Sequence, residues 1–243
     1  MINISHGFGI SRRTFVKSGL CTIGGCIAMG SGLFLKNAMA STPPAGQWPY
    51  AILDPVAIGQ SAWNPPECHG CGGQSLGAIV YGLRSALGPG SPWDELPVNL
   101  GAFGNGGGPQ RQTCGALIGP YLVMSLVGAD KALGKRFYQW YCDATFPSTD
   151  WDDHVPENGT KPLKTVVQTI SGSTLCSVSR DTWEKEYLRI HEGDKVKGPS
   201  RDRCTKVICD CTRKAVELLN AWKSGDIKEG PENMHRGDAS HQS

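Results

Sequence analysis

The stretch that decides the fold opens Pro199-Ser200-Arg201-Asp202-Arg203-Cys204-Thr205-Lys206-Val207-Ile208-Cys209-Asp210-Cys211 and runs on to Lys223. Proline with its preset φ, followed by a small polar residue, is a helix-start signal, so the last long helix is expected to begin at Pro199-Ser200. Beyond it Cys204, Val207, Ile208, Cys211, Ala215, Leu218, Leu219 and Trp222 recur at three- and four-residue steps. That spacing lays them along one side of an α-helix, and it turns Cys209 well away from the stripe. The polar tail 224–243 is expected to be flexible.

Working upstream, Leu76, Ile79, Val80, Leu83 and Leu87 repeat the helical period and stop at Gly88-Pro89, with Cys71 expected just before the first turn. A glycine loop, Leu100 to Gly108, leads into Cys114-Gly115-Ala116-Leu117-Ile118-Gly119. There Thr113 reads as N-cap, Cys114 as a first-turn residue and Pro120 as a bend. Leu133, Phe137, Trp140 and Tyr141 mark a third helix, capped by Asp130 and carrying Cys142 near its end. Between that helix and the last, Pro147 to Pro162 reads as a polar loop, Thr165 to Ile170 as extended chain and Ser179 to Arg189 as a charged helix. Ser41 to Pro66, rich in Pro, Trp and Gly without a sustained period, reads as an irregular arm. The expectation is a mainly α fold: a single helical domain with long glycine-rich loops.

The first forty residues read differently. Arg12-Arg13 followed by Thr14-Phe15-Val16-Lys17, then a glycine-rich apolar run to Leu35 and the small-x-small triplet Ala38-Met39-Ala40, form a twin-arginine export signal with cleavage expected after Ala40. A membrane anchor is the rival reading, weakened by the many glycines. A lipobox at Ile23 to Cys26 is another. The expected organisation is signal peptide 1–40, domain 41–223 and tail 224–243, in the periplasm. A formal net charge of +2 without charge blocks excludes the electrostatic footprint of a nucleic-acid binder.

Ten cysteines in 243 residues are the compositional outlier. Cys21 and Cys26 leave with the signal, whereas Cys68, Cys71, Cys114, Cys142, Cys176, Cys204, Cys209 and Cys211 stay. Disulfides are the plain explanation in an oxidising compartment, yet a chain of this length can bury enough apolar surface without them. Zinc held by Cys68, Cys71, Cys209 and Cys211 is a second reading, although Cys209 and Cys211 diverge on one helix. A reactive Cys68–Cys71 pair in a thiol–disulfide oxidoreductase is a third.

The glycine loop leading into Cys114-Gly115-Ala116-Leu117-Ile118-Gly119, with Cys71 before it and Cys176 and Cys204 after it, resembles the C-GCAxxG-C-C family of redox-active proteins. Ser173 to Ser179, Trp183, Arg201 to Cys204 and Lys214 to Asn220 further resemble the split-Soret cytochromes c. The resemblance implies an electron-transfer protein, a homodimer with an unknown redox partner, and an iron–sulfur centre, expected as [2Fe–2S], held by Cys71, Cys114, Cys176 and Cys204. Helix starts at Cys114 and Cys71 suit thiolates, and thiolates suit iron. Covalent haem is not expected, because attachment needs Cys-x-x-Cys-His and the residue after Cys68-His69-Gly70-Cys71 is Gly72. The run Asp150-Trp151-Asp152-Asp153-His154 is expected to be solvated surface, and His235 and His241 exposed tail residues. The glycine loop lacks the strand and acidic residue of a dinucleotide site.

Overall fold

A computed structural model describes residues 43–100, 104–106, 112–154, 161–192 and 195–227. Among these residues are six α-helices, α1 (Pro55–Ser61), α2 (Gly70–Leu87), α3 (Gly115–Val127), α4 (Asp130–Asp143), α5 (Cys176–Ile190) and α6 (Lys197–Lys223), and a small antiparallel ribbon of β1 (Thr145–Phe146) and β2 (Thr169–Ile170) between α4 and α5. The fold is mainly α, as the periodicity implies. The expected export signal, most of the glycine loop and nearly all of the tail, His235 and His241 included, lie outside the described residues.

The long α6 is the axis against which α1, α2, α3 and α4 pack. Leu76, Ile79, Val80 and Leu83 of α2, Leu117, Val123 and Met124 of α3, Leu133, Phe137 and Tyr141 of α4, and Val207, Ile208, Cys211, Ala215, Val216 and Leu219 of α6 form one core. A smaller cluster of Val167, Trp183 and Tyr187 sits under α5.

Several expected boundaries move. The arm between Ser41 and Pro66 contains α1, because the Asp54 carboxylate accepts from the N–H groups of Val56 and Ala57 and Pro55 occupies the first turn. Aspartate before proline is a helix-start signal, and α1 escaped a reading by period because the apolar pattern that follows is too short to show one. α1 packs on α6 and covers the side that carries Cys209, which is therefore buried rather than turned to solvent. α6 starts at Lys197, ahead of Pro199, so Cys204 lies two turns in and does not open the helix. Cys71 is within the first turn of α2 rather than before it. Cys114 itself is the N-cap of α3, while Thr113 is drawn into an isolated bridge with Leu175. Ala129, not Asp130, caps α4, and α5 starts at Cys176, three residues before its expected boundary.

The Asp150 to His154 run is also partly internal. Trp151 and Asp152 are buried, and Asp152 pairs at 2.6 Å with Lys206, whose side chain is 1% exposed. Burial pushes the Asp152 carboxyl up, but hydrogen bonds from Lys206 and Thr165 outweigh it and hold the group below the usual carboxylate range. A depressed folded pKa contributes stability that is present above about pH 4 and lost as pH falls through the folded value. Asp152→Ala is expected to cost about 3 kcal/mol at pH 7, since it strips the nearest countercharge from a buried lysine. Urea midpoints at pH 7 and pH 3 should show the variant losing less on acidification than the wild type.

Candidate metal centre

Backbone pairing starts the site. The Cys114 N–H donates to the Thr174 carbonyl at 2.8 Å and the Cys176 N–H to that of Gln112 at 2.5 Å. The entries to α3 and α5 thus run antiparallel and bring Cys114 and Cys176 to one end of the helix packing. Cys71 arrives from α2 because α2 and α3 meet on glycine. A Cβ added at Gly115 would stand 2.8 Å from the Cys71 Cβ and 3.0 Å from the Gly72 N, and would meet the Gly104 carbonyl oxygen. One added at Gly119 would meet the Gly72 carbonyl and stand 2.6 Å from the Leu76 N. Bare backbone on both sides is what lets the two helices touch there. Cys204 completes the group from α6.

The four sequence-predicted cysteines are electrical neighbours. Burial pushes the Cys71 thiol far above its ordinary value, and Cys114, Cys204 and Cys176 each push it further. Burial also raises Cys114, against the opposing pull of the Tyr141 hydroxyl, the Arg203 guanidinium and the Ala116 N–H. Three of the four thiols sit at helix starts: Cys71 as second residue of α2, Cys114 as N-cap of α3 and Cys176 as first residue of α5. The first N–H groups of such a terminus have no partner within the helix, and the positive end of the helix dipole lies there.

Arg203 is a residue that sequence reasoning did not single out as functional. It is 4% exposed. One Nη atom lies 3.9 Å from the Cys204 sulfur, and the other donates to Ser179, at 2.6 Å to Oγ and 3.3 Å to the carbonyl. Tyr141 donates to the same Ser179 Oγ at 3.0 Å. Burial opposes the guanidinium charge, and Cys204, Tyr141 and Cys114 are the neighbours that would favour it as anions and so raise its pKa above the ordinary arginine value. No carboxylate among the described residues ion-pairs with it. An i, i+1 Arg-Cys step on a long helix carries no signal for this, since the guanidinium becomes central only when α4 and α5 close over it. Cys211 is a second unforeseen neighbour: fully buried, it feels both Cys114 and Cys71.

The remaining cysteines disperse. The Cys68 thiol lies against Gly77, near Tyr81, with Glu67 and Arg84 as its charged neighbours, and so faces different surroundings from Cys71. Cys209 senses Asp210 and Arg213 on the α1 side, and Cys142 sits half-buried beside Asp143. The zinc set Cys68, Cys71, Cys209 and Cys211 is therefore divided among separate surroundings, because an α-helix sends residues two apart in divergent directions. All eight described cysteines are free thiols.

Among the described residues no three His, Cys, Asp or Glu side chains are close enough to hold a single metal ion as they stand. An iron–sulfur cluster is a larger object, with thiolates at its corners and sulfide between, and the donor set suits it: four soft sulfur ligands with helix-terminal N–H groups beside them. Charge points the same way. With neutral thiols Arg203 is a buried cation without a countercharge, an arrangement that costs several kcal/mol. Four thiolates around a cluster carry net negative charge and remove that cost. Metal binding is also what would draw protons from thiols whose pKa burial has raised.

A family model described as "Putative redox-active protein (C_GCAxxG_C_C)" matches residues 77–218, a span that includes Cys114, Cys176 and Cys204 and begins downstream of Cys71. Among solved structures, the chain is similar to the split-Soret cytochrome c of Desulfovibrio desulfuricans ATCC 27774, described with a novel iron centre. The two agree at a TM-score of 0.64 and 21% identity, over 82% of this chain and 87% of that one. At that identity the likeness is one of fold. No curated protein matches.

Proposed function

The chain belongs to the C_GCAxxG_C_C family of redox-active proteins, and on that premise we propose that it is an electron carrier of the bacterial periplasm in which Cys71, Cys114, Cys176 and Cys204 hold a [2Fe–2S] cluster. The observation that carries this reading is Arg203, a buried guanidinium whose titratable neighbours are the thiols of Cys204 and Cys114 and the Tyr141 phenol, with no carboxylate ion-paired to it among the described residues. A buried cation that cannot shed its proton needs an anion, and a tetrathiolate cluster is one. The iron centre described for split-Soret cytochrome c supports a metal in this fold. When bound, the cluster would take up and release single electrons.

The protein's own residues have distinct tasks. The entries of α2, α3 and α5 aim three thiols, and α6 supplies the fourth. Gly115 and Gly119 let backbone approach closely, Ser179 and Tyr141 fix the guanidinium, and burial shields Cys114, while Cys71, Cys176 and Cys204 are half-buried. N–H groups near cluster sulfurs and a fixed positive charge both favour the reduced, more negative state. Export through Arg12-Arg13 and the triplet ending at Ala40 supports the periplasmic assignment, since the twin-arginine route carries folded proteins with cofactor already inserted. The working form would be a homodimer, and no covalent haem is proposed, for want of Cys-x-x-Cys-His.

A spectroscopic redox titration tests the carrier role: the visible bands should bleach along a one-electron Nernst curve, and a two-electron slope would oppose it. Cys68→Ser should keep the bands, the iron content and the midpoint of the wild type. A thiol oxidoreductase working through Cys68 and Cys71 predicts the reverse, with activity that survives without iron and disappears on that substitution.

A further inference from the structure

A cavity of about 290 Å³ opens between α5, α6 and the segment around Leu163 to Val167. Trp183 and Tyr187, stacked at 5.1 Å and 24° on successive turns of α5, line it together with Val167, and Leu163 and Val166 stand exposed among its lining residues. Lys206 and Arg203 of α6 also contribute to the lining. They differ in one respect. The Lys206 ammonium is satisfied by Asp152, the Thr165 hydroxyl and the Leu163 carbonyl. Arg203 has its two Nη atoms engaged by Cys204 and Ser179, while its buried Nε–H has no hydrogen-bond partner among the described residues. A buried donor left unmatched is costly, so a group that satisfies it gains correspondingly.

We propose that this cavity is a ligand site for a small planar aromatic carbonyl compound of the quinone class. The ring lies against the Trp183–Tyr187 pair, and one carbonyl oxygen accepts from the Arg203 Nε–H, which is closed to solvent and is reached as the side chains over it give way. The volume sits at the low end of small-molecule sites, about 300 Å³, which suits a compact ring system rather than a long-tailed molecule. The preference for a neutral acceptor rests on the proposed cluster: where thiolates already balance Arg203, a second anion gains little and a carbonyl supplies the missing acceptor. The ligand would then stand one guanidinium away from Cys204. Binding makes and breaks no covalent bond.

Calorimetric titration of the oxidised whole chain with 2,3-dimethyl-1,4-naphthoquinone, whose quinone-ring carbons are blocked against thiol addition, tests the assignment. Saturable binding at one site is expected, weakened at least tenfold by Val166→Trp, a substitution at an exposed lining position that leaves iron content unchanged. 2-Naphthoate, of similar size but anionic, should bind at least tenfold more weakly. Absence of saturable binding, or equal binding by Val166→Trp, overturns the site, and naphthoate binding as tightly as the quinone overturns the neutral-carbonyl class. Iron counted on the same samples separates the two readings. Quinone binding sensitive to Val166→Trp in iron-free protein upholds the cavity while the cluster fails, and iron-loaded protein without quinone binding does the opposite.

Discussion

Cys114→Ser is expected to reduce bound iron and acid-labile sulfide to below about a tenth of the wild-type content, because a hydroxyl is a poor, hard replacement for a thiolate on iron. Cys114 is the most constrained of the four positions: it caps α3, its N–H is tied to Thr174, and its thiol neighbours Cys71, Cys204, Cys211, Tyr141 and Arg203. Cys142→Ser, which alters a half-buried thiol at the far end of α4, should leave both contents unchanged. Helical circular dichroism of the two variants, measured alongside the metal counts, separates loss of the ligand from loss of the fold. Equal iron in the two variants would remove Cys114 from the ligand set.

Gly115→Ala should have the largest effect on stability. The added methyl would meet the Gly104 carbonyl oxygen, stand 2.8 Å from the Cys71 Cβ and 3.0 Å from the Gly72 N. These are mostly backbone atoms, which cannot rotate aside as a flexible side chain can. Over-packing of this kind costs about 1–3 kcal/mol, and a clash with backbone on two sides belongs at about 3 kcal/mol or beyond. Gly198→Ala is the control, since a Cβ there meets nothing within 4 Å and the residue lies in the first turn of α6. Urea unfolding of both variants should show a large fall in midpoint for the first and little change for the second. A Gly115→Ala midpoint within experimental error of wild type would mean that α2 and α3 do not meet on bare backbone.

These two positions also show how far the sequence speaks. Helical spacing in Leu76 to Leu87 and in Val207 to Trp222 made the α-helices legible, since a buried face repeats every three to four residues whatever it packs against. Cys71, Cys114, Cys176 and Cys204 were singled out through the family spacing, and in the fold Cys114, Cys176 and Cys204 lie within electrostatic reach of Cys71. What escaped was everything decided by tertiary contact. Cys209 reads as turned away until α1 covers it, and Asp152 reads as loop surface until Lys206 reaches it from α6. Arg203 looks like one of many charged residues on a helix, and its burial appears only when Ser179 and Tyr141 come over it. Helix starts slipped for a related reason. Thr113 has the chemistry of an N-cap, but pairing with Leu175 claimed it and left that position to Cys114.

The most direct test is a count of iron and acid-labile sulfide in the whole chain purified without oxygen after expression with iron and sulfur supplied. A cluster on Cys71, Cys114, Cys176 and Cys204 predicts about two irons and two sulfides per chain, with visible charge-transfer bands. Colourless protein free of iron and sulfide, with all its thiols titratable, would contradict the account.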